Sequence, residues 1–269
     1  MLDYRYGSYG MAADGAGAPE RSNNDSSSSE SPDDYTTTNT QEENVDEDDI
    51  IKTDGNHIYA VREGELIILK SWPADQTEIL SRYQIADDSQ NGHARSLFLK
   101  DDKVAVFSSI YSDYRSDTDE SFSGTRITIL DVSDRTNPEL VRRLDIEGWM
   151  NQGRMINGDV YLVSNSQLQI PQSIWDLTYG SDPDLPEPTY TDDQDELKQI
   201  VDSARPIMRR KVEAALQGTA IVDMLPEKRI FDDQGNLRAR QPMYKCTDLY
   251  LPHQAAQLGV LNVSHFDLT

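Results

Sequence analysis

An internal repeat settles the architecture of this chain: LIILKSWPADQTEILSRYQI at residues 66–85 aligns without a gap to ITILDVSDRTNPELVRRLDI at residues 127–146. Each copy begins with an apolar run, continues through a polar segment that holds one proline, and closes with a second run that ends in isoleucine. Short runs rich in β-branched residues and bounded by turn residues are typical of strands. Each copy therefore predicts two strands joined by a turn.

A second element recurs ahead of three other short apolar runs. Two-residue turn signals precede the runs HIYAV, KVAVF and DVYLV, at Asp54-Gly55, Asp101-Asp102 and Asn157-Gly158. Together with the longer repeat they give a unit of four strands in about 40–50 residues, which is the period of a β-propeller blade. We therefore predict an all-β fold, a β-propeller with about three four-stranded blades in an incomplete circle. The competing interpretation is a β-sandwich whose internal similarity is fortuitous.

The chain divides by composition near residue 44. Between Pro19 and Asn44 it contains no Leu, Ile, Val, Met or Phe, and the whole of 1–44 is rich in serine and acidic residues. Such a segment cannot bury enough apolar surface to offset the entropy lost on ordering, so we predict that residues 1–44 are disordered. Residues 45–269 form the predicted partial propeller, with a loop insertion at 110–124 and a coil-plus-helix insertion at 169–242.

The larger insertion contains an α-helix, predicted over residues 193–217. Apolar side chains recur at helical spacing in two stripes, at 197–204 and 207–216. Pro206 lies between the stripes and is expected to kink or divide the helix. We expect both stripes to rest on the side or rim of the propeller.

Net charge and composition exclude several classes of protein. The chain has 48 acidic and 25 basic residues, a formal net charge of −23. Such a surface repels phosphate backbones, so nucleic acid is not expected as a partner. No apolar run approaches the about 18–20 residues of a spanning helix, so no transmembrane segment is predicted. The single cysteine, Cys246, excludes an internal disulfide framework.

Sequence motifs of catalysis are missing as well. The chain has no Gly-x-Ser-x-Gly elbow, P-loop or dinucleotide fingerprint, and its four histidines have no metal-ligand spacing. We therefore predict no catalytic residue and no bound cofactor.

The segment TNTQEENVDEDDIIKTDGNHIYAV at residues 38–61 resembles the signature of a family of bacterial and archaeal secreted proteins with a C-terminal β-propeller distantly related to WD40 repeats. The matching positions include Gln41, Val45, Asp46, Glu47, Asp49, Ile50, Lys52, Thr53, Asp54 and Gly55. The resemblance implies a propeller and a secreted or cell-surface location, and it brings no catalytic residue. The chain departs from the family by showing no signal peptide and by stopping after about three blades, which predicts a truncated propeller. A chain that truly begins at Met1 is expected to stay in the cytoplasm.

The acidic run within the signature allows two interpretations. Asp46, Glu47 and Asp49 are candidate ligands for a divalent cation such as Ca²⁺, because hard cations take several carboxylate oxygens. Their spacing is not that of an EF-hand loop. The alternative is a solvated acidic edge at the boundary of the fold.

Two functions are compatible with these observations. The first is a non-catalytic binding or scaffold module of a secreted or cell-surface protein, which contacts a protein or surface ligand through the loops of the propeller rim. The alternative is part of a propeller enzyme, quinoprotein-dehydrogenase-like or a hydrolase, whose site is not contained in this chain. Such a site needs polar residues that converge from many blades.

Overall fold

The described part of the chain is mostly β-structure. A computed structural model describes residues 45–85, 93–111, 122–178, 182–186, 191–250, 253 and 259–268. In chain order the elements are β1 (Val45–Glu47), β2 (Ile51–Thr53), β3 (His57–Arg62), β4 (Glu65–Lys70), β5 (Glu78–Gln84), β6 (His93–Lys100), β7 (Lys103–Ile110), β8 (Gly124–Asp131), β9 (Glu139–Glu147), β10 (Trp149–Ile156), β11 (Asp159–Gln167), α1 (Gln172–Thr178), α2 (Gln194–Gln217), β12 (Glu227–Phe231), β13 (Leu237–Pro242) and β14 (Gly259–Asp267). The predicted disordered segment 1–44 and most of the predicted loop insertion lie outside the described residues.

The strands form three sheets whose neighbouring strands are antiparallel. The first sheet has the order β2-β3-β4-β5, the second β13-β12-β9-β8-β7-β6, and the third β1-β10-β11-β14. A mostly β architecture with a helical insertion agrees with the sequence prediction.

The two copies of the internal repeat adopt the same structure. Residues 66–85 form the β4-β5 hairpin and residues 127–146 form the β8-β9 hairpin. Each hairpin has a bulge at the same position of the repeat, between Ile68 and Leu69 in one copy and between Ile129 and Leu130 in the other. The ungapped alignment therefore reflects equivalent pairing and not chance similarity.

The three turn signals also occupy equivalent places. They join β2 to β3, β6 to β7, and β10 to β11. In the last of these, Asn157 and Gly158 both have a positive φ, 56° and 98°. Two consecutive residues with positive φ define the turn that suits the twist of a two-residue hairpin, and Asn-Gly is its preferred sequence.

The second sheet lies between the other two, and its strands β7 and β8 are buried on both faces. One core cluster joins it to the first sheet through side chains that include Tyr59, Leu66, Ile68, Leu97, Val104, Val106 and Leu130. Another joins it to the third sheet through Phe98, Phe107, Ile127, Ile146, Met155, Val160 and Leu162 among others. Consecutive residues of β7 enter opposite clusters because side chains alternate across a strand. Each large apolar side chain so buried stabilises the fold by about 1.5–3 kcal/mol.

The long connections occur at the same place in the repeat, between the second and third strands of a unit. This connection comprises residues 63–64 in the first sheet, 111–123 in the second and 168–258 in the third. In the second and third sheets these connections leave from one end, which we call the insertion end. A longer connection at this place leaves both core clusters intact.

Helix α2 differs from the sequence prediction in its packing. It is continuous through Pro206, its N-cap is Asp193, and none of its residues is buried. It packs against α1 and is held by ion pairs from Lys211 to Asp182 and Asp184. The expected burial of both apolar stripes against the propeller is not seen, since Leu197, Val201 and Leu216 are 40%, 43% and 41% exposed.

The end of the larger insertion is a hairpin that the sequence did not predict. Strands β12 and β13 pair with each other, and β12 pairs with β9, so the hairpin extends the outer edge of the second sheet. Three of the five residues of β12 and two of the six residues of β13 are charged, which hides the apolar alternation on which a strand prediction depends. Among the described residues, no helix has the length and apolar character required to cross a bilayer.

Strand β14 presents an exposed apolar edge, which predicts self-association. In the described residues it pairs only with β11, and Leu261 and Val263 are 67% and 71% exposed. Unpaired strand edges template pairing with other chains. Replacing both residues with lysine is expected to lower the weight-average mass in sedimentation velocity. The same change at Val201 and Leu216, which are exposed on α2, is the control. Equal masses for all three proteins would show that the β14 edge does not drive association.

Candidate functional site

Residues 45–55, which we call the signature segment, touch all three sheets. β1 pairs with β10 of the third sheet, Asp49 exchanges two backbone hydrogen bonds with Leu97 of the second sheet, and β2 pairs with β3 of the first. A single short stretch of chain therefore joins three separate sheets.

Lys52 is the centre of this segment. Its side chain is 5% exposed, and its ammonium group donates to Asp46 Oδ1 at 2.6 Å and to the Glu47 carbonyl oxygen at 2.5 Å. The ammonium group also lies 6.0 Å from the centre of the Phe98 ring. A buried ammonium requires such partners because its desolvation is costly.

The candidate metal ligands are each bonded to a donor of the protein. Asp46 accepts from Lys52, Glu47 forms an ion pair with Arg154 at 2.9 Å, and Asp49 accepts from the Ile50 backbone N–H at 2.7 Å. In the part of the chain that the structure describes, no group of three or more His, Cys, Asp or Glu side chains is placed to hold a metal ion. The cation site stays a prediction, and Gln41 lies outside the described residues.

Asp48, which belongs to the same acidic run, also has a structural contact. Its Oδ1 accepts from the Gly153 backbone N–H at 3.0 Å. A Cβ at position 153 would lie 3.0 Å from the Phe98 ring, so any larger residue there would have to displace that ring slightly.

The Asp-Gly turn at the end of the segment anchors a second network. Asp54 accepts from the backbone N–H of His57 at 2.7 Å and from the Tyr59 hydroxyl at 2.9 Å. Arg135, in the β8-β9 turn of the second sheet, donates to the same hydroxyl at 3.0 Å and to Asp102 at 2.6 Å. The network thus joins turns of two sheets through the fully buried Tyr59.

The network shifts the pKa values of two of its groups, Asp54 and Tyr59. Burial raises the pKa of Asp54, but the hydrogen bonds from the His57 backbone and from the Tyr59 and His57 side chains outweigh it and hold the pKa below its usual value. Burial and the Asp54 carboxylate raise the pKa of Tyr59 well above its usual value, so its hydroxyl stays a donor at neutral pH.

A cleft of about 440 Å³ lies where the larger insertion meets the outer edge of the second sheet. Its walls come from β9, from the β12-β13 hairpin and from the segment around 221–225. The backbone N–H of Gln169 donates to the Met224 carbonyl at 2.8 Å, which holds that segment against the end of β11. The cleft therefore exists only because the insertion folds back on the sheet.

A row of charged side chains crosses four strands, and its two outer members, Arg229 and Arg240, line the cleft. In register, Arg126 lies opposite Asp145, Asp145 opposite Arg229, and Arg229 opposite Arg240. Arg126 and Asp145 form a bidentate ion pair with both distances 2.8 Å and both side chains 3% exposed. This pair fixes the inner end of the row, and the arginines reach the cleft.

Glu147 is the half-buried carboxylate of the cleft. It accepts from Gln169 Nε2 at 3.1 Å and from the Glu227 backbone N–H at 2.6 Å. Burial raises its pKa above the usual glutamate value despite these hydrogen bonds. Arg229 balances the neighbouring Glu227 at 2.7 Å and stacks over the Phe122 ring at 4.5 Å.

The cleft presents hydrogen-bond donors and acceptors side by side. Its lining residues supply guanidinium and amide donors beside carboxylate acceptors, with apolar patches from Val222, Leu225 and Pro242. A ligand with both donors and acceptors, such as a peptide segment, matches this lining. Sequence reasoning missed these residues, and the alternating charges of 227–241 were the only available signal.

Three antiparallel sheets with repeated four-strand units and a charged cleft define a β-sheet repeat protein. The family model described as the β propeller domain matches residues 35–269. The chain belongs to the β-propeller domain family. No curated protein and no solved structure gives a significant match to it.

Replacing Lys52 with methionine is expected to destabilise the fold by about 2 kcal/mol, because a charged hydrogen bond in a buried position is lost. Urea unfolding measures the change. Lys100→Met removes an exposed ion pair with Asp101 and is expected to cost less than about 0.5 kcal/mol. Equal effects of the two substitutions would contradict a central role for Lys52.

Acid is expected to weaken the Asp54 network. Because the folded-state pKa of Asp54 lies below its unfolded value, its contribution is complete above about pH 4 and is lost as the pH falls through the folded pKa. Melting temperatures of the natural protein and of Asp54→Asn should therefore converge in acid. Asp75→Asn, at an exposed position outside this network, is the control, and equal convergence there would remove Asp54 as the cause.

Proposed function

We propose that this chain is a non-catalytic binding module whose ligand site is the cleft at the insertion end. The three sheets act as three propeller blades, with β12-β13 added outside one blade and β1 added inside another. The module works at the cell surface or after secretion, as the family resemblance implies. Its partner is a protein, contacted through the insertions of the propeller rim.

The observation that carries the proposal is the composition of the cleft. Arg229, Arg240 and Glu147 bring charges of both signs to one concave surface. The pairing of β9 with β12 and of β12 with β13 holds the two strands that carry these arginines in place. Preformed concave sites with a few convergent polar groups are the usual binding sites of proteins. Loops and insertions on a rigid scaffold are also where binding residues concentrate.

A steric block of the cleft tests the proposal. Short random peptides displayed on phage are selected on the natural protein, and the affinity of the enriched peptides is then measured by fluorescence anisotropy. Val222→Trp fills the cleft, since Val222 lines it and is 48% exposed. We expect this variant to bind the enriched peptides at least about tenfold more weakly.

The matched control is Val141→Trp, because Val141 is similarly exposed on β9 but does not line the cleft. It should bind like the natural protein. Selected peptides that bind both tryptophan variants equally would place the binding surface elsewhere. Mass spectrometry of the peptides after incubation separates the alternatives, because cleaved peptides would favour a hydrolase.

A further inference from the structure

Each sheet has one face of a fixed kind that packs against the next sheet. The equivalent runs HIYAV, KVAVF and DVYLV lie in β3, β7 and β11. The third residue of the run is Tyr59 in the core shared by the first and second sheets, and Ala105 in the core shared by the second and third. The equivalent Tyr161 of the third sheet belongs to neither cluster and is exposed. We call the face that carries this third residue the forward face.

The second residue of the run lies on the opposite side of the strand, which we call the rear face. Val104 belongs to the core shared with the first sheet, and Val160 belongs to the core shared with the second. The equivalent Ile58 of the first sheet belongs to neither cluster. Both contacts between the sheets therefore join a forward face to a rear face. Within the described residues, neither cluster covers the rear face of the first sheet or the forward face of the third.

The uncovered rear face of the first sheet is largely apolar. Residues that lie opposite each other on neighbouring strands share a face of the sheet. Two adjoining rows of this face contain six apolar residues, namely Ile51, Ala60 and Ile67 in one row and Ile58, Leu69 and Ile79 in the other. The isoleucines of the two outer strands, Ile51 and Ile79, are exposed. Exposed apolar patches on a sheet are typical of surfaces that contact another polypeptide.

The uncovered forward face of the third sheet is also suited to packing. Val163 lies opposite Val263, and the exposed Leu261 shares their face because it is two residues from Val263. The rings of Tyr161 and His265 have centroids 5.0 Å apart, and His265 Nε2 lies 2.8 Å from Asp159 Oδ1. Tyr59, which is fully buried at the position equivalent to Tyr161, shows that a tyrosine there can be enclosed between two sheets.

We infer that the forward face of the third sheet packs against the rear face of the first sheet in a second copy of this chain. The repeat specifies this occupant, because both contacts already present within one copy join the same two kinds of face. Each copy has one uncovered face of each kind, so two copies can form two such contacts and close a ring. The inference goes beyond the proposed function and does not involve the cleft.

The number of sheets selects two copies. One copy supplies three sheets, whereas propellers typically close with about four to eight. Two copies supply six, and three copies would exceed that range. The natural protein is therefore expected to sediment at twice the 30.4 kDa of one chain. A natural protein that sediments as a monomer would overturn the inference.

Substitutions on the two faces test the contact by sedimentation velocity. The rear-face variant combines Ile51→Lys with Ile79→Lys, and the forward-face variant combines Leu261→Lys with Val263→Lys. Each change places charges inside both contacts of the ring, so each variant alone should sediment at half the mass of the natural protein. Val141→Lys is the control, because Val141 is exposed on β9 of the second sheet and lies on neither open face. It should keep the mass of the natural protein.

An equimolar mixture of the two variants distinguishes this contact from other modes of association. The mixture retains one intact contact, between the third sheet of the rear-face variant and the first sheet of the forward-face variant, so its mass should rise above that of either variant alone. A variant that does not fold cannot restore the mass, so the mixture also separates lost folding from a lost contact. A mixture that stays monomeric would overturn the inference.

Two further outcomes would overturn the inference. If only the forward-face variant loses mass, the copies associate through the edges of β14 and the first sheet is not involved. If neither variant loses mass, both faces are covered within a single chain or are not used. Added salt is expected to favour the dimer, because it screens the repulsion between two chains that each carry a net charge of −23. Dissociation by salt would show an ionic contact instead of an apolar one.

Discussion

The buried ammonium group of Lys52 is the constraint on which the arrangement of the sheets depends. An amine this enclosed must keep its partners, so Asp46 and the Glu47 carbonyl are held close to it and β1 is fixed against the third sheet. The intervening Asp49 pairs with the second sheet. The signature segment thereby connects all three sheets, whereas each core cluster joins only two of them.

The core explains why the insertions are tolerated. Strands β7 and β8 of the second sheet are covered on both faces, so much of the free energy of folding resides in side chains that alternate along them. The connection after the second strand of each unit leaves the sheet at its end and supplies no buried residue to these clusters, although Met243 packs against one of them. It can therefore lengthen from a two-residue turn to an insertion with its own helices and hairpin, and a binding surface can be added without altering the core.

Buried and exposed basic residues have different roles in this acidic chain. Lys52, Arg126 and Arg135 are wholly or largely buried and bind carboxylates that join strands or sheets. On β13, the exposed Arg238 pairs with Asp232 of its own hairpin, and Arg240 lines the cleft. The acidic signature, conspicuous as a possible ligand set in the sequence, is engaged by donors of the chain itself, so its carboxylates also act in assembling the fold.

Local sequence determined the strands, the turns and the repeat. Alternating apolar residues predicted the β4-β5 and β8-β9 hairpins, and Asn157-Gly158 predicted its turn, because these depend on residues close in the chain. Only the tertiary structure decided that β1 pairs with β10, that β12 joins β9, and that Glu147, Arg229 and Arg240 form one cleft. Those contacts join residues far apart in sequence, and the path of the chain between them is set by the burial of the two cores, which no local pattern encodes.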